Sequence, residues 1–470
     1  MKPTYEELEF RLKHTQDSLD ATLQAFAKTQ NLLKLALDRI AELEERLNKN
    51  SKNSSKPPSS DRKPNSDDQK GNEKKSRSGI NRALIPPEKV DQFLDCCMDN
   101  CPDCGSDKLS KYGSVECLQQ IELPEIKAMV TQFNRFRYRC ACCGNCSTAS
   151  LPKGIPNSAF GTRLMALIAT LTGAFHLSKR DAMQLLKDLY DIEICEGSII
   201  NVEERVTSAL AEVYHRIHRV VTKGILCKHF DETSWRNQGK NGYVWVASTS
   251  QAVCFKIDAR RSKEAFHKFV GKLTPSPVVT DRYAVYNDVS NGQQYCLAHL
   301  IRDFRKFGER KGIDGEIGND IETELRAVCK SHRQYREGSR SLKSRDHRIR
   351  HSRKRLENHL IDGLASGSND FGNFCENILE RFDRLWTFAK FSDVEPTNNL
   401  AERDLRKIVL WRKKSYGTRS YRGQRFVETI STVCGTLKRT SHNLFDFLKK
   451  ALSAFYSSEE APYACPTFGF

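Results

Sequence analysis

The first fifty residues repeat an apolar residue at every seventh position, and this repeat predicts one long helix. The repeating positions are Tyr5, Leu12, Leu19, Phe26, Leu33, Ile40 and Leu47. A companion row three positions further on is weakened by Thr15, Thr22 and Thr29. A seven-residue seam on a helix pairs with a second helix that supercoils around it. We therefore expect a coiled coil over 1–50 and a homo-oligomer that forms through it.

The hydrophobic pattern stops after this helix and returns with a helical period. Residues 51–90 are rich in Ser, Asn, Lys and Pro and poor in apolar residues, which predicts a flexible linker. Residues 155–222 predict three helices, the last of them unbroken over 197–219. Three helices with short turns fit a helix-turn-helix with its third helix in a major groove, and they fit a plain bundle equally well. This segment is therefore a candidate DNA-binding domain.

From residue 223 the period changes to that of strands. The runs GILCKHFDET, YVWVASTS and QAVCFKIDA predict an antiparallel meander. A helix follows, then the strands PVVTD and QQYCLAH and the helix LIRDFRKF, which together predict a mixed α/β layer over 223–425. A helical insertion at about 312–390 interrupts this layer, and further helices are expected over 426–470. The pattern predicts a multidomain α+β chain.

The charge balance changes what this architecture is expected to bind. The 470 residues contain 76 Lys and Arg against 59 Asp and Glu, a net charge of +17. Such an excess favours a polyanionic partner, and we expect double-stranded DNA. The insertion contains much of this excess, so its helices are candidates for phosphate contacts as well as solvated faces. No run of about 18 apolar residues and no apolar segment after the opening MKPTYEELEF occur, which predicts a cytoplasmic protein without a membrane partner.

Two pairs of cysteines have the spacing of metal ligands. Cys101 and Cys104 precede one glycine, and Cys140 and Cys143 precede another. Each pair places two sulfurs on one tight turn, and two such turns complete a tetrahedral zinc site. Cys146 is a rival for the last position, because its spacing from Cys143 is also that of a ligand pair. Four cysteine ligands leave no open position, so this zinc is expected to be structural.

The residues between the two cysteine pairs suit a zinc ribbon over 91–152. The alternating segment MVTQFNRFRYR (129–139) predicts a hairpin-like stretch beside the second pair. Arg135, Arg137 and Arg139 lie in this segment, where they are candidates for DNA contact. A ribbon with a purely architectural role fits the same residues.

Three carboxylates stand where a catalytic metal site can form. Asp231 ends the strand ILCKHFD, Asp281 ends the strand PVVTD, and Glu402 lies in the first turn of the helix after TNN. Phosphodiester cleavage and strand joining use two divalent cations about 4 Å apart, and carboxylate oxygens suit Mg²⁺, with Mn²⁺ as an alternative. Glu232 is a rival for Asp231. Two of these acids also have a purely structural explanation. Asp281 fits a turn former, and Glu402 fits an acid favoured at a helix start or a helical partner of Arg406.

At these residues the chain resembles the transposases of the insertion sequence sixty-six family. The resemblance rests on a linker containing SSKPPSSD, on CPDCG with YRCACCG, and on HFDETSWR, TDRYAVYN, CLAHLIRDF and EPTNNLAERDLR in that order. It implies a ribonuclease H-like core, a two-metal Asp–Asp–Glu site on Asp231, Asp281 and Glu402, and insertion-sequence ends as the substrate.

The same resemblance implies roles for further residues in the last two blocks. His299 and Arg302 are expected to position DNA phosphate or to support the metal ligands, as are Asn398, Asn399, Arg403 and Arg406. The chain departs from the family pattern at Arg282, where glycine is common, and at Leu297, where an aromatic residue is usual.

The sequence thus predicts a metal-dependent DNA transposase, with target DNA and other proteins of the same element as further candidate partners. Three alternatives stay open: a non-catalytic zinc-ribbon accessory or regulator, a ribonuclease H-like nuclease without strand transfer, and a coiled-coil scaffold.

Overall fold

The computed structural model describes residues 4–48, 83–287, 289–290 and 292–465, and it begins with the long helix α1 (Tyr5–Asn48). The seven residues of the predicted seam are between 52% and 80% exposed, so α1 presents an open apolar stripe. Residues 51–82 of the predicted linker (51–90) lie outside the described residues. Beyond them, Ile85 exchanges two backbone hydrogen bonds with the side-chain amide of Gln119.

A short hairpin encloses the second cysteine pair, which lies in the turn between its two strands. Strand β1 (Arg137–Arg139) pairs antiparallel with β2 (Cys146–Thr148), and Arg139 stands opposite Cys146. The hairpin predicted over MVTQFNRFRYR is wrong for 129–136. The partner strand is only three residues long, so the residues before Arg137 have no strand to pair with in the described part of the chain.

Four helices precede the main sheet: α2 (Thr162–Ala169), α3 (Lys179–Tyr190), α4 (Glu196–Ala209) and α5 (Ala211–Lys223). A π-helical turn, Thr170–Ala174, extends α2. The single helix predicted over 197–219 is wrong, because Leu210 (φ −94°, ψ 0°) separates α4 from α5. Leu210 is 1% exposed, and the break lets both helices turn apolar faces into the same core.

A five-stranded mixed sheet occupies the middle of the chain. Its strands are β3 (Lys228–Asn237), β4 (Lys240–Ser248), β5 (Val253–Asp258), β6 (Val278–Thr280) and β7 (Gln293–Tyr295). They lie in the order β5-β4-β3-β6-β7, and helix α6 (Lys263–Val270) connects β5 to β6. The first three strands form the predicted antiparallel meander, and β6 and β7 run parallel to β3. The predicted mixed layer is therefore observed.

Helices fill the region between β7 and the last helices. They are α7 (Leu297–Gly308), α8 (Ile313–Arg336), α9 (Leu342–Ser366), α10 (Asn369–Leu379) and the short α11 (Thr387–Lys390). Their apolar faces share one core with Val279 of β6 and Tyr295 of β7. The helical insertion predicted at about 312–390 therefore packs as a helical layer at the β7 end of the sheet.

The last helices return to the other end of the sheet: α12 (Asn399–Ser415), α13 (Tyr421–Arg439) and α14 (Leu444–Ser457). A second core joins them to α2–α5 and the meander. Helix α4 packs between α2, α13 and α14, and its exposed Glu204 is ion-paired with Arg422. In the described part of the chain, every helix is too short or too polar to span a membrane.

Candidate functional site

Asp231 and Asp281 stand side by side because their strands are in parallel register. Lys228 pairs with Val278 and His229 with Val279, so both pairs join residues fifty positions apart. The observed pairing ends there, and the same offset continued by two residues aligns Asp231 with Asp281, the first residue after β6. Adjacent strands lie about 4.8 Å apart, and paired residues of parallel strands point to the same face. The structure therefore brings the two predicted aspartates together at one edge of the site.

Glu402 is placed by an asparagine that joins three elements. The side-chain amide of Asn398 donates to the carbonyl of Phe230 at 2.8 Å, and its oxygen lies 3.2 Å from Nδ1 of His229. The backbone N–H of Asn398 donates to Sγ of Cys296 at 3.1 Å. These bonds fasten the start of α12 to β3 and to the end of β7. Glu402 follows in the first turn of that helix, as predicted.

The three carboxylates lie close enough for Asp281 and Glu402 to affect the pKa of Asp231. Burial raises the pKa of Asp231 well above its usual value, and the negative charges of Glu232, Asp281 and Glu402 add to this effect. Burial also raises the pKa of Asp281 to about 6, although the N–H of Tyr283 opposes the shift. Crowded acids of this kind are stabilised by a bound cation.

The atoms left free at these residues fit metal ligation. Asp231 accepts a hydrogen bond at Oδ1 from the N–H of Glu232, and Asp281 accepts one at Oδ1 from the N–H of Tyr283. Oε1 of Glu402 is buried and has no hydrogen-bond partner among the described residues. Within that same set of residues, the three carboxylates do not form a group whose ligand atoms all lie within 4.8 Å of one another. A cation held by all three would therefore have to draw the carboxylates closer together.

Glu232, the rival for Asp231, already has two partners. Its Oε1 accepts from Nε of Arg261 at 2.8 Å, and its Oε2 accepts from the hydroxyl of Tyr286. Only 3% of its side chain is exposed. Both oxygens are thus engaged, which leaves Asp231 as the better placed metal ligand.

The residues taken from the CLAHLIRDF block lie beside Glu402. Two nitrogen atoms each lie 3.7 Å from Oε1 of Glu402: Nδ1 of His299 and Nη2 of Arg302. The departure at Arg282 has a structural explanation, because this side chain donates to Asp303 at 2.7 Å and covers the ring of Phe374. These two contacts tie Arg282 to α7 and α10.

The predicted residues of α12 have different surroundings. Asn398 is fully buried and acts on the fold, whereas Asn399, Arg403 and Arg406 are exposed. In the described part of the chain, Arg406 makes no ion pair with Glu402. Its alternative reading as a helical partner of that acid is therefore not supported.

The two cysteine turns repeat one geometry. Gly105 (φ 70°) donates its N–H to the carbonyl of Cys101 at 2.9 Å, and Gly144 (φ 73°) donates to Cys140 at the same distance. The pKa of Cys101 is lowered by the N–H of Cys104, and the pKa of Cys140 by the N–H of Cys143. Amides directed at a sulfur favour the thiolate that binds zinc.

Cys146 lies outside the repeated turn, in strand β2, so the local geometry favours Cys143 as the fourth ligand. Among the described residues, the four predicted sulfurs are not gathered within 4.8 Å of one another. Of the neighbouring arginines, Arg135 donates to the carbonyl of Ala149 at 2.7 Å and supports the hairpin. Arg137 and Arg139 are exposed on one side of β1.

The raised pKa of Asp281 predicts that Asp281→Asn stabilises the metal-free protein at pH 7.5. Because the folded pKa exceeds the unfolded value of about 3.9, wild-type stability falls as pH rises from about 4 to 6. Asparagine does not ionise, so the variant keeps this stability as pH rises. We expect its free energy of unfolding to exceed that of wild type by on the order of 2 kcal/mol at pH 7.5, and we expect the difference to vanish below pH 4. Urea unfolding without Mg²⁺ at both pH values measures it.

The matched control for this experiment is Asp258→Asn at the end of β5, where the carboxylate accepts only a local N–H, from Arg260. It should leave the unfolding free energy within about 0.5 kcal/mol of wild type. Mg²⁺ should then stabilise the wild type more than Asp281→Asn. A variant less stable than wild type at pH 7.5 would contradict the raised pKa of Asp281.

Three family models match the chain. The one described as "Transposase IS66 family" matches residues 157–425, more than half of the chain and including all three carboxylates. The "zinc-finger binding domain of transposase IS66" matches 99–144, a range that contains Cys143 and excludes Cys146. A "family of unknown function (DUF6444)" matches 4–86. No curated protein was found to match the chain closely.

Proposed function

Since the chain belongs to the IS66 family of transposases, we propose that it cleaves and joins DNA strands at the ends of an insertion sequence. Asp231, Asp281 and Glu402 are the proposed ligands of two Mg²⁺ ions. The observation that supports this assignment best is the parallel pairing of β3 with β6, whose offset continues to Asp231 and Asp281, together with the hydrogen bond by which Asn398 ties the start of α12 to β3.

The proposed chemistry is in-line phosphoryl transfer. When bound, the ions activate water, and later the 3′-hydroxyl of the element, and stabilise the leaving oxygen. The chain itself provides the anionic ligands and keeps them close despite their repulsion. His299 and Arg302 are placed to orient Glu402 or a DNA phosphate. Asn399, Arg403 and Arg406 offer further polar groups on the exposed side of α12.

We assign the core to the ribonuclease H-like class on its topology. In the sheet, β3, β4 and β5 form an antiparallel meander, and the parallel strands β6 and β7 are added beside β3. Of the proposed ligands, Asp231 lies in β3 and Asp281 follows β6. Glu402 lies in α12, which packs on β3. This arrangement supports a nuclease core with α8–α11 as its helical insertion.

The insertion offers a basic surface for DNA. Lys343, His347, Arg350, His351 and Lys354 are exposed and recur on one face of α9. The neighbouring arginines on other faces are engaged, such as Arg353 with Asp383 and Arg355 with Glu324. We propose that the α9 face, defined by those five residues, contacts phosphates, together with Arg137 and Arg139 of the ribbon.

Helix α1 is proposed to join two protomers. Its apolar stripe is exposed along the described helix, and burial against a second copy would remove it from water. Two protomers would hold two element ends, which the joining reaction requires.

The decisive experiment is a reaction of the full-length protein with DNA that contains the element's inverted repeats. We expect nicking at the repeat boundary with Mg²⁺ or Mn²⁺, none in EDTA, and joining of pre-cut ends to a target. Binding without nicking would instead identify an accessory protein. Nicking without joining would identify a nuclease, and neither binding nor nicking would leave a scaffold.

A further inference from the structure

The end of β7 brings a cysteine and a histidine against Glu402. Cys296 follows β7 and is 1% exposed, and His299 lies in the first turn of α7. One ligand atom from each of Cys296, His299 and Glu402 lies within 4.8 Å of the other two. In the described part of the chain, this is the one group of three or more His, Cys, Asp or Glu side chains that meets this limit.

The spacing suits an ion held between the side chains better than a direct hydrogen bond. Nδ1 of His299 is 3.7 Å from Oε1 of Glu402, which is too long for a hydrogen bond. Both atoms are buried, and neither has a hydrogen-bond partner among the described residues. A tetrahedral zinc ion with nitrogen and oxygen ligands at about 2.1 Å keeps them roughly 3.4 Å apart. A small adjustment therefore accommodates the ion.

The surroundings hold these ligands in place. The N–H of Asn398 donates to Sγ of Cys296 at 3.1 Å and orients the sulfur. A bound cation would displace the proton of this thiol. Arg302, also 3.7 Å from Oε1, would share the carboxylate with the ion.

We propose that Cys296, His299 and Glu402 bind a thiophilic divalent cation of the Zn²⁺ class. Sulfur and imidazole ligands favour Zn²⁺ over Mg²⁺, in contrast to the oxygen ligands of Asp231 and Asp281. The inference rests on the proposed function in one respect: Glu402 belongs to both sites, and the ion would hold this acid in its present position against Cys296 and His299. The ion is separate from the zinc of the ribbon, whose ligands are distant in sequence.

The test is a metal count on the full-length protein, loaded with Zn²⁺ or Co²⁺ and freed of excess ion. Wild type should hold one more ion per chain than Cys296→Ser, and the lost ion should bind about 100-fold more weakly or worse in the variant. In the Co²⁺-loaded protein, the charge-transfer absorption between sulfur and metal should be weaker in Cys296→Ser than in wild type by the contribution of one thiolate. Cys101→Ser, at the ribbon, should lose a different ion, and the two losses should add.

A second variant covers the case in which Cys296→Ser fails to fold. His299→Gln changes a partly exposed side chain, and it should lose the same ion while retaining the wild-type circular dichroism spectrum. Wild-type metal content in both variants would overturn the proposal, and the transposase assignment would stand if Asp231 were still required for cleavage. Loss of the ion in a protein whose wild type never cleaves DNA would instead keep this site and refute the proposed function.

Discussion

Asp231→Asn should bind element ends as tightly as wild type and lose strand cleavage by about 10³-fold or more, a loss of roughly 4 kcal/mol in transition-state stabilisation. Asparagine keeps the size of the side chain and one oxygen, but it removes the charge that a divalent cation needs. Binding should persist because the proposed phosphate contacts lie on the α9 face and on β1, away from β3. Single-turnover cleavage and an electrophoretic binding assay separate the two effects.

Asp258→Asn provides the matched control, since it makes the same change at the end of another strand of the same sheet. It should cleave at the wild-type rate. Asp231→Cys extends the test, because a thiolate binds Mg²⁺ poorly and Mn²⁺ better. Activity restored by Mn²⁺ alone would identify residue 231 as a ligand. Cleavage at the wild-type rate by Asp231→Asn would exclude it from the catalytic site.

The position of Asp281 could be predicted from a strand ending, since it directly follows β6. The prediction that Asp231 ends its strand is wrong, because β3 continues from Lys228 to Asn237 and its pairing with β4 extends to the last of these residues. The two acids approach each other because β3 and β6 are parallel neighbours. Glu402 was predictable as a first-turn acid of an amphipathic helix. Its distance from the aspartates was not, because it depends on how α12 packs against β3.

Other features depend on tertiary packing and left no clear local pattern. Asn398 has the sequence context of a helix cap, yet its side chain makes no capping bond and instead joins β3 to α12. Leu210 interrupts a run with uniform helical character, because both halves must reach one core. Cys296 had a signal in its spacing from His299, since residues three apart share one helix face. Its approach to Glu402, about a hundred residues later, could not be predicted.

The other large expected effect concerns the zinc ligands. Cys143→Ser should abolish zinc binding by the ribbon and unfold it, whereas Cys146→Ser should retain the zinc. The repeated turn explains the difference: the N–H of Cys143 lowers the pKa of Cys140 as the N–H of Cys104 lowers that of Cys101, and Cys146 lies in a strand outside this arrangement. Structural zinc contributes an apparent 10–16 kcal/mol in small domains, so about 50 residues with few buried side chains should not remain folded without it.

The ribbon's zinc should therefore be measured with the two serine variants side by side, together with Cys142→Ser as a second control in the same turn. Limited proteolysis between 91 and 152 should become rapid in Cys143→Ser alone. Binding to element ends should weaken as well, because Arg137 and Arg139 then lose the strand that presents them to phosphate. If Cys146→Ser lost the zinc and Cys143→Ser kept it, the second knuckle would run from Cys140 to Cys146. The metal would then clamp β2 directly.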